Sequence, residues 1–97
     1  MASTTVVARA RFINGLRDLA TFLSAHFGYP VPDSAEITIF PDGASYPARR
    51  AAVDRLALVL GVPVRDSLGH HSAERAFGPI RYRVVAVSDS GELEGDE

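Results

Sequence analysis

The sequence has no cysteine, no lysine and no tryptophan, and it has one methionine. Without cysteine there is no disulfide, no thiol nucleophile and no cysteine-type zinc site. The missing lysine changes how arginine is read: all ten basic residues are arginine. Arginine therefore also fills the solvated positions lysine would take, and its number alone is no sign of nucleic acid. No apolar run approaches the roughly 18 residues of a membrane span. The opening MASTTVVARARF lacks an apolar stretch followed by a small-residue cleavage site. A soluble, uncleaved, cytoplasmic chain with no membrane partner is expected.

What is present fits one globular domain. The chain has 97 residues, 46% hydrophobic and 23% charged, enough for a single core and too few for two. The net charge of −2 hides an asymmetry, because five of the twelve acids lie in the last nine residues, where there is no base. Residues 1–88 carry ten arginines against seven acids. A mildly basic domain over 1–88 followed by an acidic, disordered tail over 89–97 is expected, the tail serving for solubility or screening a basic face.

Apolar residues at Phe12, Leu16, Leu19, Ala20, Leu23 and Phe27 recur on one helical face, with Ile13 beside them, which predicts a helix over 11–27. Gly28 is the expected left-handed terminator, and Pro30 and Pro32 prevent resumption. Glu36 to Phe40 alternates with β-branched residues and predicts a strand, closed by Pro41-Asp42-Gly43. A second helix is expected from Pro47, capped by Ser45 and ended by Gly61 and Pro63, with Ala52, Leu56, Val59 and Leu60 buried and Val53 beside them. In Ser67 to Val87, the alternation of Ile80, Tyr82, Val84 and Ala86 with Arg81, Arg83, Val85 and Val87 predicts a hairpin about Gly78-Pro79. Glu74 then stands opposite Arg83 and Phe77 opposite Ile80. The order is α-β-α-β-β. It predicts an α+β two-layer sandwich, with both helices on one face of a small three-stranded, mostly antiparallel sheet.

The chemistry-bearing residues assemble into no established motif. His70 and His71 are neighbours on a strand and point to opposite faces, so they do not ligate one ion; with His26 distant, no metal site is expected. Ser67 or Ser72 can be drawn with a histidine and Asp66 as a triad, but there is no Gly-x-Ser-x-Gly elbow, and neither Gly-rich phosphate pattern occurs. No catalytic residue and no cofactor are expected. Arg55 to Leu68, RLALVLGVPVRDSL, resembles the first helix and turn of repressor-type helix-turn-helix domains over about seven residues. The recognition helix it would need, Val64 to Arg75, contains Gly69, and such a domain would be all-helical, which the RYRVVAV strand contradicts.

FINGLRDLATFL, AAVDRLALVLGV and GHHSAERAFGPIRYRVVAV together resemble a group of small αβαββ proteins of high-GC actinobacteria and their phages and plasmids. The run from Ala73 to Arg83 is the most specific element. The resemblance carries over no functional residue. It implies an origin in a mobile element or phage, and accessory proteins of that origin act by binding a host protein or DNA. Two functions are therefore expected, neither enzymatic. One is protein recognition or homodimerisation through Arg81, Arg83, Val85, Val87 and His70 on an exposed sheet face or strand edge. The other is nucleic-acid binding by Arg49, Arg50, Arg75, Arg81 and Arg83.

Overall fold

The computed structural model describes residues 5–88; the expected acidic tail at 89–97 lies outside the described residues. The chain divides into two compact units, one up to Asp33 and one from Ser34 onward.

The first unit is built on helix α1, Val6–Ala25. The Thr5 hydroxyl accepts from the Ala8 N–H at 3.0 Å, one of the bonds that a helix N-terminus otherwise lacks. With this cap the helix starts a full turn before the expected Arg11. At the other end the terminator is His26, not Gly28. The His26 N–H donates to the Phe22 carbonyl at 3.1 Å, and its ring Nδ1 reaches the same oxygen at 2.8 Å. The ring also stacks on Phe22, with centroids 4.2 Å apart, and on Tyr29 at 5.9 Å. Gly28 is not among the residues at positive φ. The predicted apolar stripe is there, and α1 has no buried side chain within its own unit. Phe12 is 53% and Leu19 54% exposed.

The second unit holds strand β1, Ala35–Ile39, helix α2, Tyr46–Leu60, and strands β2, Arg65–Ser67, β3, His70–Phe77, and β4, Ile80–Val87. They form a four-stranded sheet in the order β1-β4-β3-β2. The sheet is mostly antiparallel as expected, since two of its three pairings are, but it has four strands and not three, and it is mixed. β2 adds a fourth strand, and β1 pairs parallel with β4, from Ala35↔Ile80 to Ile39↔Val84. The β3–β4 hairpin has the predicted register, with Glu74 opposite Arg83 and Phe77 opposite Ile80. Gly78, at φ 63°, opens its two-residue turn, the place where glycine's tolerance of positive φ is used in such hairpins.

Helix α2 begins at Tyr46, one residue before the expected Pro47. Ser45 caps it through the Ala48 N–H at 3.3 Å. Gly61, at φ 74°, ends it by donating to the Ala57 carbonyl at 2.8 Å. The buried face is rotated from the expected one: Val53 and Ala57 enter the core with Ala73, Val84 and Ala86, and Leu60 packs against them. Ala52 is buried too, but Leu56 lies at the boundary and Val59 points outward, 79% exposed. The small Ala57, Ala73 and Ala86 let helix and sheet approach closely, a solution that ranking residues by hydrophobicity does not favour.

Candidate functional site

Strand alternation fixes which side chains share a face of the sheet. Val84, Ala86 and Ala73 pack with α2, so Tyr82 on β4 and His71, Arg75 and Phe77 on β3 lie on that side. Arg81, Arg83, Val85 and Val87 of β4, Glu36 and Thr38 of β1, and His70, Ser72 and Glu74 of β3 lie on the opposite side.

The expected protein-binding residues Arg81, Arg83, Val85, Val87 and His70 are thus brought to one face, but they do not make an apolar spot. Val85 is only 2% exposed. Four of the five are on β4, which lies between β1 and β3 and offers no free edge, and His70 is on β3; among the described residues the outer strands are β1 and β2, and β2 covers β3 only as far as Ser72. Carboxylates neutralise the two arginines. Glu36 Oε1 lies 3.4 Å from Arg81 Nη2, Glu36 Oε2 lies 3.6 Å from Arg83 Nη1, and Glu74 Oε2 lies 3.8 Å from Arg81 Nε.

The five arginines considered for nucleic acid are split between the two sides. Arg49, on α2, donates to the carbonyls of Gly43 at 3.1 Å and Val87 at 3.3 Å. Arg50 lies over the Tyr46 ring, 5.6 Å from its centroid, and 3.9 Å from Asp66 Oδ1. Arg75 lies 4.9 Å over the Phe77 ring and donates to the Leu60 carbonyl at 3.4 Å. These three are on the α2 side, away from Arg81 and Arg83. Residues 65–67 and 70–77 are strands, so the segment after α2 provides no recognition helix.

The most ordered polar constellation is one the sequence does not announce. His71 is the buried polar residue of the core, 4% exposed. Its Nδ1 is 2.6 Å from Asp66 Oδ1 on β2, and its Nε2 is 2.7 Å from Asp54 Oδ1 on α2. Ionised carboxylates only accept hydrogen bonds, so both bonds are made when both ring nitrogens carry a proton, the ring then being an imidazolium between two anions. Burial pulls the His71 pKa down, but the bonds to Asp54 and Asp66 and the charge of Asp66 outweigh burial and the opposing Arg50, and the result lies above 6.5. Asp66 is held below 3.8, mainly by its bond to His71, against desolvation and with help from the charges of His71 and Arg50.

This arrangement suits fastening better than catalysis. With both nitrogens engaged, His71 has no lone pair for a general base. Ser72 and Ser67 point to the other side of the sheet, so neither completes a triad with it. Among the described residues no group of three or more His, Asp or Glu side chains is disposed to hold a metal ion. On the sheet face away from α2, Arg65, Ser67, Ser72, Glu74 and Arg83 help line a hollow of 360 Å³, whose mixed charge selects no one ligand class. No described helix is long and apolar enough to cross a membrane. Comparison with protein families, with curated proteins and with solved structures finds no match.

Proposed function

We propose that the chain is a small, non-enzymatic recognition module that works by protein–protein association, with α1 as its contact and a second copy of the same chain as its partner. The observation that carries this reading is the apolar stripe of α1, a twenty-residue capped helix with no buried side chain. Phe12, Leu16, Leu19 and Leu23 step by four, three and four residues, the spacing by which one helix packs along another of its own kind. Gly15 and Ala20 flank the seam and permit close approach. An antiparallel pair sets the Phe12 end of one stripe on the Leu23 end of the other, and it keeps the two Arg9 side chains apart. An origin in a phage or mobile element, suggested by the sequence resemblance, is compatible with such an accessory role.

The test is the molar mass in solution, by light scattering, of the native chain and of the double variant Leu16→Glu, Leu19→Glu. The native chain is expected to be a dimer at tens of micromolar, and the variant a monomer with unchanged sheet signals in its amide spectrum. A native monomer overturns the proposal. So does a variant whose sheet signals collapse, since the stripe then belongs to the core of its own chain.

A further inference from the structure

Asp66 is the middle residue of β2, a strand of three residues, none of them buried. No apolar side chain of β2 anchors it. The turn that follows passes through Leu68 at φ 50° and Gly69 at φ 81°; at Leu68 the Cβ makes this left-handed conformation unfavourable. β2 is held by its short ladder to β3, from Arg65↔Ser72 to Ser67↔His70, by Val64 just before it, which packs against the core, by the Ser88 N–H, which donates to the Gly69 carbonyl just after it at 2.8 Å, and by the side-chain link from Asp66 through His71 to Asp54 on α2.

We propose that the Asp54–His71–Asp66 clamp is a pH-operated latch on the edge of the sheet. With both ring nitrogens protonated it fastens β2 to α2; when the ring gives one proton to solvent, β2 loosens and the outer edge of β3 is uncovered. The geometry enforces the dependence. A neutral imidazole keeps one N–H, so its other nitrogen turns a lone pair on a carboxylate oxygen less than 3 Å away. Both carboxylates are more than half exposed and can turn to water, and Asp66 takes β2 with it.

The groups facing the ring are few. From α2 come Asp54 and Arg50, and from β2 comes Asp66; the β4 residue opposite His71 is Ala86, which carries no charge. Arg50 keeps a weak hold on Asp66, so the latch loosens without releasing fully. Because the folded-state pKa of His71 is raised above 6.5, its contribution is complete below pH 6.5 and is lost as pH rises through the raised value. Because that of Asp66 is lowered from 3.8, its contribution is complete above pH 3.8 and is lost as pH falls through the lowered value. The latch is tightest between these limits.

Pairing of β2 with β3 stops at Ser72, so from Glu74 onward the outer edge of β3 has no β2 partner. Loosening β2 extends that bare edge back to His70. An edge of this length accepts an added strand of extended peptide through main-chain hydrogen bonds.

The experiment is amide hydrogen exchange of the native full chain by NMR at about pH 6 and about pH 9, with rates divided by the intrinsic rate at each pH, together with the ring 15N shifts of His71. Protection in the β2–β3 ladder, Arg65 to Ser67 and His70 to Ser72, is expected to fall about tenfold at the higher pH, the change that accompanies loss of one charge-assisted hydrogen bond. The β3–β4 ladder beyond Ser72 is expected to keep its protection. The ring is expected to carry two protons at the lower pH and one at the higher. Asp54→Asn, which keeps an acceptor and removes a charge, is expected to bring the transition to lower pH. A ring with a single proton at about pH 6, an unchanged β2–β3 ladder, or a loss spread evenly over the whole sheet overturns the proposal.

Discussion

Helices α1 and α2 look alike as sequence and behave differently as structure. α1 carries the larger apolar side chains, Phe12, Leu16, Leu19 and Phe22, and none of them is buried. α2 buries Ala52, Val53 and Ala57, much smaller groups. The difference is one of connection. α2 lies in the crossover between the parallel neighbours β1 and β4, so chain geometry sets it on the sheet whatever its side chains prefer. α1 is followed by the Pro30 and Pro32 connector, and no such constraint acts on it. An apolar stripe states that a face needs covering; topology states what covers it.

The contrast is most easily broken in the core. Val53→Asp puts an unpaired charge at a fully buried position and is expected to cost roughly 4 kcal/mol or more, enough to unfold the sheet unit in urea titrations. Phe12→Asp on α1 is expected to leave the sheet unit's midpoint nearly unchanged. Equal losses would remove the distinction between the helices. The two helix ends offer a finer comparison. Gly61→Ala forces a side chain into the left-handed region and is expected to cost about 1 kcal/mol, whereas Gly28→Ala, with open space around it and no positive φ, is expected to cost almost nothing. The helix N-caps give a similar contrast. Ser45→Ala is expected to lower the sheet unit's stability by about 1 kcal/mol, while Thr5→Ala frays only the first turn of α1, seen as faster exchange at Ala8.

How much was legible follows from the same physics. The β3–β4 register could be read because period-two alternation from Ile80 to Val87, a short turn at Gly78-Pro79 and the Glu74–Arg83 and Phe77–Ile80 pairs agree on one solution. Ser45 and Gly61 were legible because capping is local chemistry. β2 was not: Arg-Asp-Ser has no apolar alternation, and its turn uses Leu68 where a sequence reader looks for asparagine or glycine. The face of α2 was misread because Ala57 to Leu60 is apolar all round, so periodicity cannot orient it. The histidine clamp escaped for another reason. Asp54 and His71 are separated by 17 positions and meet only when α2 lies on the sheet. The available hint was that Ala73 and His71 share a face of β3, which sends His71 toward the core and makes a charged partner necessary.

The central place of β4 has a consequence for synthesis. β1 is made first among the strands, yet its partner lies 45 positions later, as in Ala35↔Ile80, and the hairpin of β3 and β4 must come between. During translation β1 waits as a bare strand until the final strand has left the ribosome. The β3–β4 hairpin, closed by a two-residue turn, forms on its own timescale, and the slow step is the long loop closure that brings β1 beside it. A nascent chain stalled before Val87 would therefore hold its helices ready and its sheet unfinished.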